Sequence, residues 1–384
     1  MSQSSRGARV PLSILDLSPV SAGSTPQQAI RNTIDLARHA ESWGYRRFWV
    51  AEHHFVQVAS SATTTLIGLI AAATTTIRVG SAAVQLGHHT SASVVESFGT
   101  IDALYPGRLD LGLGRSGHQA DRFRSAGPAP APAPERPAEV RDGVVIPPPF
   151  TPGQVLDKSR LLAGFEALSL PGARPVGYTE QVEQIRALLS GAYRASEGVA
   201  LHAIPGEGAD VQLWLFGSSG GESARLAGRL GLPFAANYHV SPGTIVDTVA
   251  AYRESFQPSA HYPQPHLVVS ADVVVAQNRA TAEHLASTYG HWVYSIRSGA
   301  GAAAYLDPDT APPLTAEQQR LVQDRVSTQF AGTAAEVADR LTALQRLTGA
   351  DELVVTSVTH RHEDRLASHR LLAREWGLTH VRAA

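Results

Sequence analysis

Two short stretches of this chain carry side chains whose types and spacing suit chemistry. In Arg46–Phe55, which reads R-R-F-W-V-A-E-H-H-F, the apolar run Phe48–Ala51 has the composition of a buried strand and stops at Glu52, His53 and His54. Parallel α/β folds build their sites at the carboxyl ends of strands, so this strand delivers a carboxylate and two imidazoles to such an end. An imidazole titrates near neutral pH, which makes His53 the candidate proton carrier. The second stretch, Gly217-Ser218-Ser219-Gly220-Gly221, follows a strand and opens a helix. Free backbone N–H groups and the helix dipole at such a turn attract anions, and the hydroxyls of Ser218, Ser219 and Ser223 add donors. Taken alone it reads as an ordinary Gly/Ser turn with a helix cap; at the later strands of a barrel it reads as a phosphate cradle, with Arg115 as a further anion partner.

Two other patterns invite chemistry that the sequence does not support. Gly112-x-Gly114-x-x-Gly117 matches the dinucleotide fingerprint as a string, but the following H-Q-A-D-R-F-R-S-A-G-P does not begin a regular helix. That fingerprint needs a helix N-terminus under the pyrophosphate and an acid about 20 residues on. The glycines read instead as places where a ligand approaches the backbone. Histidines also come in pairs: His53-His54, His88-His89 and His360/His362. Adjacent strand residues point to opposite faces, so His53 and His54 cannot ligate one metal without a bend. The first strand has no H-x-H, and His88, His89, His360 and His362 read as structural or hydrogen-bonding residues. No metal site is expected.

The elements that must position these residues alternate. Val10–Leu17 is a strand candidate, and Thr25-Pro26 opens a helix that Gly44 ends. Arg46–Ala51, Ile77–Leu86 and Arg108–Leu113 are further strands, separated by helices over Ser61–Thr76 and Ser91–Leu104. From Gly127 to Pro152 the chain is crowded with proline and alanine, a composition that favours polyproline II and cannot form a helix or central strand. Residues 125–175 therefore read as an excursion on the loop face. The helix Gly177–Leu189 resumes the pattern, followed by strands Val211–Phe216, Leu232–Asn237, His266–Ala276 and Asp351–Ser357. Between them lie helices Pro242–Phe256, Arg279–Ser298 and Ala334–Leu347, with a last helix from Glu363. Eight strands alternating with helices specify a single closed (β/α)₈ barrel over residues 1–384; an open doubly wound sheet is the alternative.

Composition narrows the function classes. A net charge of −2 gives no electrostatic reason to expect nucleic acid or an anionic membrane. With no cysteine, disulfides, thiolate metal sites and cysteine nucleophiles are excluded. No apolar run reaches the roughly 18–20 residues of a membrane span, and Met1–Arg9 lacks the apolar core of a signal peptide, so a cytoplasmic location is expected.

Five separated segments, in order, resemble the luciferase-like flavin-dependent monooxygenases. They are F-W-V-A-E-H-H-F, R-V-G-S-A-A-V-Q-L, E-S-F-G-T-I-D-A-L-Y-P-G-R-L-D-L-G-L-G-R, L-W-L-F-G-S-S-G-G-E-S-A-R-L-A-G-R-L-G-L-P-F, and G-T-A-A-E-V-A-D-R-L with G-A-D-E-L-V-V-T. The opening L-S-I-L-D-L-S-P-V looks most like the branch with polyketide-tailoring oxygenases, such as that of mensacarcin biosynthesis. The resemblance implies a (β/α)₈ barrel that uses O₂ and reduced FMN from a separate reductase, or the deazaflavin F420 in some branches. By the same resemblance His53 is an acid/base near the flavin, and Ala82-Ala83 is a non-proline cis peptide beneath the isoalloxazine ring. Arg115 with Gly217, Ser218, Ser219, Gly220 and Ser223 would hold the phosphate. Three departures are visible: luciferase's reactive cysteine is Gly114 here, the phosphate turn is one residue longer than in near relatives, and the Pro-rich 125–175 region has no counterpart.

The expected activity is hydroxylation or epoxidation of an apolar organic substrate, an aromatic polyketide of secondary metabolism being the candidate. Ser18, His88 and Tyr238 are the expected substrate contacts, and the Pro-rich excursion and Gly299–Pro313 the expected lids. Packing roles fall to Trp43, Trp49 and Leu86. A homodimer is expected by analogy. The alternatives are an F420-dependent dehydrogenase on the same barrel, a non-catalytic flavin-binding protein and a metal-dependent barrel hydrolase.

Overall fold

The computed structural model describes residues 9–115, 137–150, 159–169 and 176–379. Gly117 and the remaining parts of the Pro-rich excursion lie outside the described residues. Eight parallel strands close on themselves: β1 (Leu12–Asp16), β2 (Arg47–Val50), β3 (Arg78–Ser81), β4 (Leu109–Gly114), β5 (Val211–Gly217), β6 (Phe234–Asn237), β7 (Leu267–Ala276) and β8 (Glu352–Thr356). Each pairs with the next in chain order, and β8 pairs back with β1 through Leu12↔Leu353 and Ser13↔Val354, which completes the ring. Helices pack around it, so each strand is covered on both faces and reads as a near-continuous apolar run.

Local chemistry sets the helix ends. Thr25 accepts a hydrogen bond from the Gln28 backbone N–H and Pro26 occupies the first turn of Pro26–Trp43, while Gly44 adopts the left-handed conformation that stops it. The helix Ala334–Thr348 opens on a capping box between Thr333 and Glu336 and ends on left-handed Gly349.

Four stretches differ from the sequence expectation. The strand expected over Ile77–Leu86 ends at Ser81; the cis peptide Ala82-Ala83, the two-residue strand Val84–Gln85 and a 3₁₀ turn over Leu86–His88 follow. The single helix expected over Arg279–Ser298 is two, Arg279–Ala286 and Tyr289–Arg297. Thr288, 1% exposed, sits at the break and donates its hydroxyl to the Leu306 carbonyl, which ties the junction to the loop beyond. A helix unassigned from sequence, Ala316–Thr328, opens on a Thr315/Gln318 capping box. Within the proline-crowded stretch, an antiparallel hairpin pairs Glu139–Arg141 with Val144–Ile146 around Asp142 and Gly143, both at positive φ (50° and 83°). This is the Asp-Gly two-residue turn, whose strands the flanking prolines mask.

The barrel interior is layered by strand periodicity. At the amino-terminal end Arg47 is 1% exposed and holds Asp110, Glu352 and Gln212 at 2.9–3.1 Å. Above it, Trp49 packs edge-on against Trp214 and Phe216, and its indole N–H donates to Asp110 at 2.8 Å. A Cβ on Gly112 would meet the Phe216 ring at 2.5 Å and the Ser81 carbonyl at 2.1 Å. That glycine of the Gly112–Gly117 string therefore serves barrel packing, which corrects the reading of it as a point of ligand approach.

Candidate active site

The carboxyl ends of the strands surround a cavity of about 260 Å³. Ala82 and Ala83, with Gly114, form one wall; Leu15, Leu17, Ala51 and Phe216 form its floor; Glu52, His53, Gln85, Asn237 and His239 present polar atoms to it. One end is lined by Arg115, Gly217, Ser218, Ser219 and Ser223. The strand-end acid–base group and the Gly/Ser turn thus meet in one cavity, which the alanine pair joined by the cis bond also lines.

His53 exposes its ring into this space, deep within the surrounding protein. Burial, with a smaller contribution from His54, pushes its pKa below the ordinary imidazole value, while Glu52 opposes that shift. Neutral imidazole is therefore the form present near pH 7. Glu52 itself is 3% exposed and acts as an anchor. Its Oε1 lies 2.9 Å from His54 Nε2 and 2.8 Å from His89 Nε2, and its Oε2 accepts from the Gln85 backbone N–H at 3.0 Å. Burial alone would raise the Glu52 pKa; the bonds from His54, His89 and Gln85 outweigh it and bring it down to about 2. The carboxylate thus fastens the segment after the cis peptide to the end of β2, with His53 beside the junction.

His239 also lines the cavity; its Nδ1 lies 2.5 Å from the Ser270 hydroxyl, and burial together with Arg325 and His53 brings its pKa down to about 3. It is a second neutral imidazole in the cavity. At the anion end, Arg115 pairs with Glu222 at 3.0 Å, the first residue of the helix Glu222–Arg229. Ser223 is 6% exposed and bonds the Tyr178 hydroxyl. Gly221 provides no side-chain cap to that helix start.

A second cavity of about 350 Å³ adjoins the first and shares His53 and Gln85 with it. Its wall is largely apolar: Val56, Val58, Phe165, Leu168, Trp292 and Ile296, with His88 and Arg160 at polar positions. Phe165 and Arg160 come from the helix Ser159–Leu168 inside the 125–175 excursion, and Gly299, Gly301 and Ala302 come from the expected lid loop.

Three expected site residues lie elsewhere. Tyr238 is fully buried with its hydroxyl donated to the Val145 carbonyl at 2.7 Å. Alternation explains this: Asn237 and His239 face the cavity, so Tyr238 between them faces away. Ser18 is also fully buried, its hydroxyl 2.8 Å from that of Thr33, in a network that ends on Asp16 and Arg365. Gly220 faces a neighbouring helix, where a Cβ would lie 3.0 Å from the Asp247 carbonyl. Of the expected substrate contacts, His88 lines the second of these two cavities, and Ser18 and Tyr238 line neither. Sequence reasoning did not nominate His239, Gln85, Phe165 or Trp292; for His239 the alternation along Ala235-Ala236-Asn237-Tyr238-His239 carried the signal.

His360 and His362 bond the Ala22 carbonyl and Asp35, which agrees with a hydrogen-bonding role. Among the described residues no cluster of three or more His, Cys, Asp or Glu side chains is arranged to hold a metal ion, and no helix is long and apolar enough to cross a membrane.

Comparison with known proteins places this architecture. The profile described as "Luciferase-like monooxygenase" matches residues 10–146 and 171–352. The Bacillus subtilis protein YvbT is 38% identical over 370 residues, spanning 95% of this chain and 96% of that protein. An Escherichia coli K12 protein named luciferase-like monooxygenase is 33% identical over 371 residues, covering 94% and 96%. Among solved structures, apo-MsnO8 superposes with a TM-score of 0.76 at 31% identity, covering 97% of this chain and all of that one (100%). Two more distant structures share the fold. One is the oxygenating constituent of 3,6-diketocamphane monooxygenase from Pseudomonas putida in complex with FMN (TM-score 0.62, 16% identity, 96% and 97% covered). The other is an F420-dependent secondary alcohol dehydrogenase with an F420-acetone adduct (TM-score 0.59, 15% identity, 96% and 99% covered).

Proposed function

Because the chain belongs to the luciferase-like monooxygenase family of oxidoreductases, we propose that it takes reduced FMN and O₂ and places one oxygen atom on an apolar organic substrate. The observation that carries this reading is the pair of cavities meeting at His53 and Gln85: one ends in an anion cradle, the other is walled by apolar side chains. The donor set fits FMN. Arg115, Ser218, Ser219, Ser223 and the helix start at Glu222 suit a phosphate, and the small side chains of Ala82, Ala83 and Gly114 leave one wall open to a flat ring.

When bound, reduced flavin would supply the two electrons that activate O₂, one oxygen atom of which goes to the substrate while the other leaves as water. The chain's own residues do the rest. Arg115 and the Gly/Ser turn fix one end of the cofactor. His53, neutral near pH 7, accepts and returns a proton at a ring nitrogen where the two cavities meet. Glu52 holds that junction rigid through His54, His89 and Gln85. Phe165, Trp292 and Ile296 exclude water around the substrate.

A largely apolar cavity of about 350 Å³ suits a ring system or alkyl chain, with hydroxylation or epoxidation as the outcome and an aromatic polyketide of secondary metabolism as the candidate. A separate flavin reductase supplies the reduced cofactor. The enzyme works in the cytoplasm as a homodimer.

Anaerobic titration of the purified protein with reduced FMN, oxidised FMN and F420 tests the reading. The expected result is tightest binding of reduced FMN, weakened in Arg115→Ala. Preferential binding of F420, with F420 reduction by an alcohol, would replace it by hydride transfer on the same barrel. Failure to bind any of the three would end it.

A further inference from the structure

We propose that the Glu222 carboxylate competes with the cofactor's phosphate for Arg115, and so sets how strongly the cradle holds a doubly charged phosphate monoester. The inference rests on the phosphate reading above and asks which residue limits it. Three kinds of donor converge on Glu222. Its Oε2 lies 3.0 Å from Arg115 Nη1, its Oε1 accepts the Thr179 hydroxyl at 3.0 Å, and it occupies the first position of the helix Glu222–Arg229, where the dipole favours negative charge. A guanidinium, a hydroxyl and a helix N-terminus are the groups a phosphate oxygen seeks.

Glu222 is thus an internal anion at the rim of the cradle, while Ser218, Ser219 and Ser223 line its inside. Arg115 is the cation lining this cavity among the described residues, and Glu222 takes up its charge. Side-chain exposures of 24% for Arg115 and 43% for Glu222 leave the pair free to part. A phosphate entering the cradle either draws Arg115 away from Glu222 or lies close to a like charge. Both costs scale with the charge on the phosphate. A singly charged phosphate suffers less than a dianion, and a flavin without phosphate does not meet the carboxylate.

Dissociation constants of oxidised FMN and riboflavin for the wild-type protein and Glu222→Gln, at pH 8 and low salt, test this. Wild type should bind FMN more tightly than riboflavin. Glu222→Gln should tighten FMN about two- to fivefold, the range for partly exposed charges, and leave riboflavin unchanged. That gain should shrink at pH 5.5, where most of the phosphate carries one charge, and in high salt. A variant that melts like wild type yet binds FMN equally or more weakly overturns the proposal alone. If wild type does not distinguish FMN from riboflavin, the phosphate reading fails first and takes the proposal with it.

Discussion

Two arginines, Arg47 and Arg115, stand at opposite ends of the same barrel, and each faces carboxylate. Arg47 lies inside the amino-terminal end, its side chain 2% exposed, between Asp110 and Glu352 at 0% and 1%. Gln212 and the Trp214 ring complete its surroundings, the latter 4.8 Å from the guanidinium. Arg115 faces the cavity, 24% exposed, and meets one half-exposed carboxylate. The chemistry of the pairs is alike and the solvent is not. In the dry interior each charge is committed, because releasing one strands the others. At the wet rim the pair is worth little to stability, so its cation can change partners. Burial decides which arginine is architecture and which is available to a ligand.

The sharpest way to break that contrast is Arg47→Met. It leaves Asp110 and Glu352 buried without their shared cation, and unfolding in denaturant should show a loss of about 3–5 kcal/mol. A loss under about 1 kcal/mol would mean that water or Arg78, which also reaches Asp110 at 2.9 Å, substitutes for it, and the distinction would collapse.

Next in size is the imidazole between the cavities. His53→Asn should lower turnover by roughly 10²–10³ while FMN affinity stays within about twofold, since a proton carrier acts on the reaction and not on cofactor binding. The lowered His53 pKa gives the sign of its pH dependence. Activity that needs the neutral ring should persist to a more acid pH than an ordinary imidazole would allow and fall only below that, with the acid limb missing in the variant. Equal turnover by the variant would remove His53 from the mechanism.

Glu52 extends the comparison to an anion that is buried like Asp110 yet lies at the active end. Its pKa near 2 lies below the ordinary carboxylate value, so its contribution is present above about 4.5 and is lost as pH falls toward 2. The difference corresponds to about 3 kcal/mol at neutral pH. Thermal melting of Glu52→Gln should show a deficit of about 2–3 kcal/mol at pH 7 that narrows below pH 4.5. A deficit independent of pH would assign the loss to shape instead of charge.

How much of this was legible in the sequence follows from the range of the forces involved. Strands, helices and their caps are set by neighbours in the chain, so Thr25-Pro26 and Gly44 announced a helix correctly and eight alternating units announced the barrel. That His53 and the Gly217–Ser223 turn lie at the same end of the barrel was legible because a strand end and a helix start are local events. Side-chain direction beyond a strand end is not: the strand end points to Tyr238 as a contact, although the period of two places its neighbour His239 in the cavity. The pairing of Arg115 with Glu222 joins residues 107 apart in the chain, and that of Arg47 with Glu352 joins residues 305 apart. No local pattern announces either. The apolar wall around Phe165 stayed hidden for a different reason: the prolines before it suggested polyproline II, and a ten-residue helix beyond them drew no notice.

The smallest expected effect is also the one that best sharpens the contrast. Arg115→Ala removes a half-exposed ion pair, so its cost in stability should stay under about 1 kcal/mol, against the several lost at Arg47. Its cost in FMN affinity should be about tenfold, the worth of one charge-assisted hydrogen-bonded contact. Riboflavin, which lacks the phosphate, should bind the variant and wild type alike. In the double variant Arg115→Ala, Glu222→Gln, the gain expected from removing the carboxylate should lose the part due to competition, because the cation it competes for is gone, and keep only the like-charge part. Measuring the four proteins against both flavins closes a cycle. A coupling of about two- to fivefold for FMN and none for riboflavin is the signature of an arginine shared between an internal and an external anion. A coupling of zero for FMN would show that Arg115 and Glu222 act separately, and the rim pair would then be no more exchangeable than the buried one.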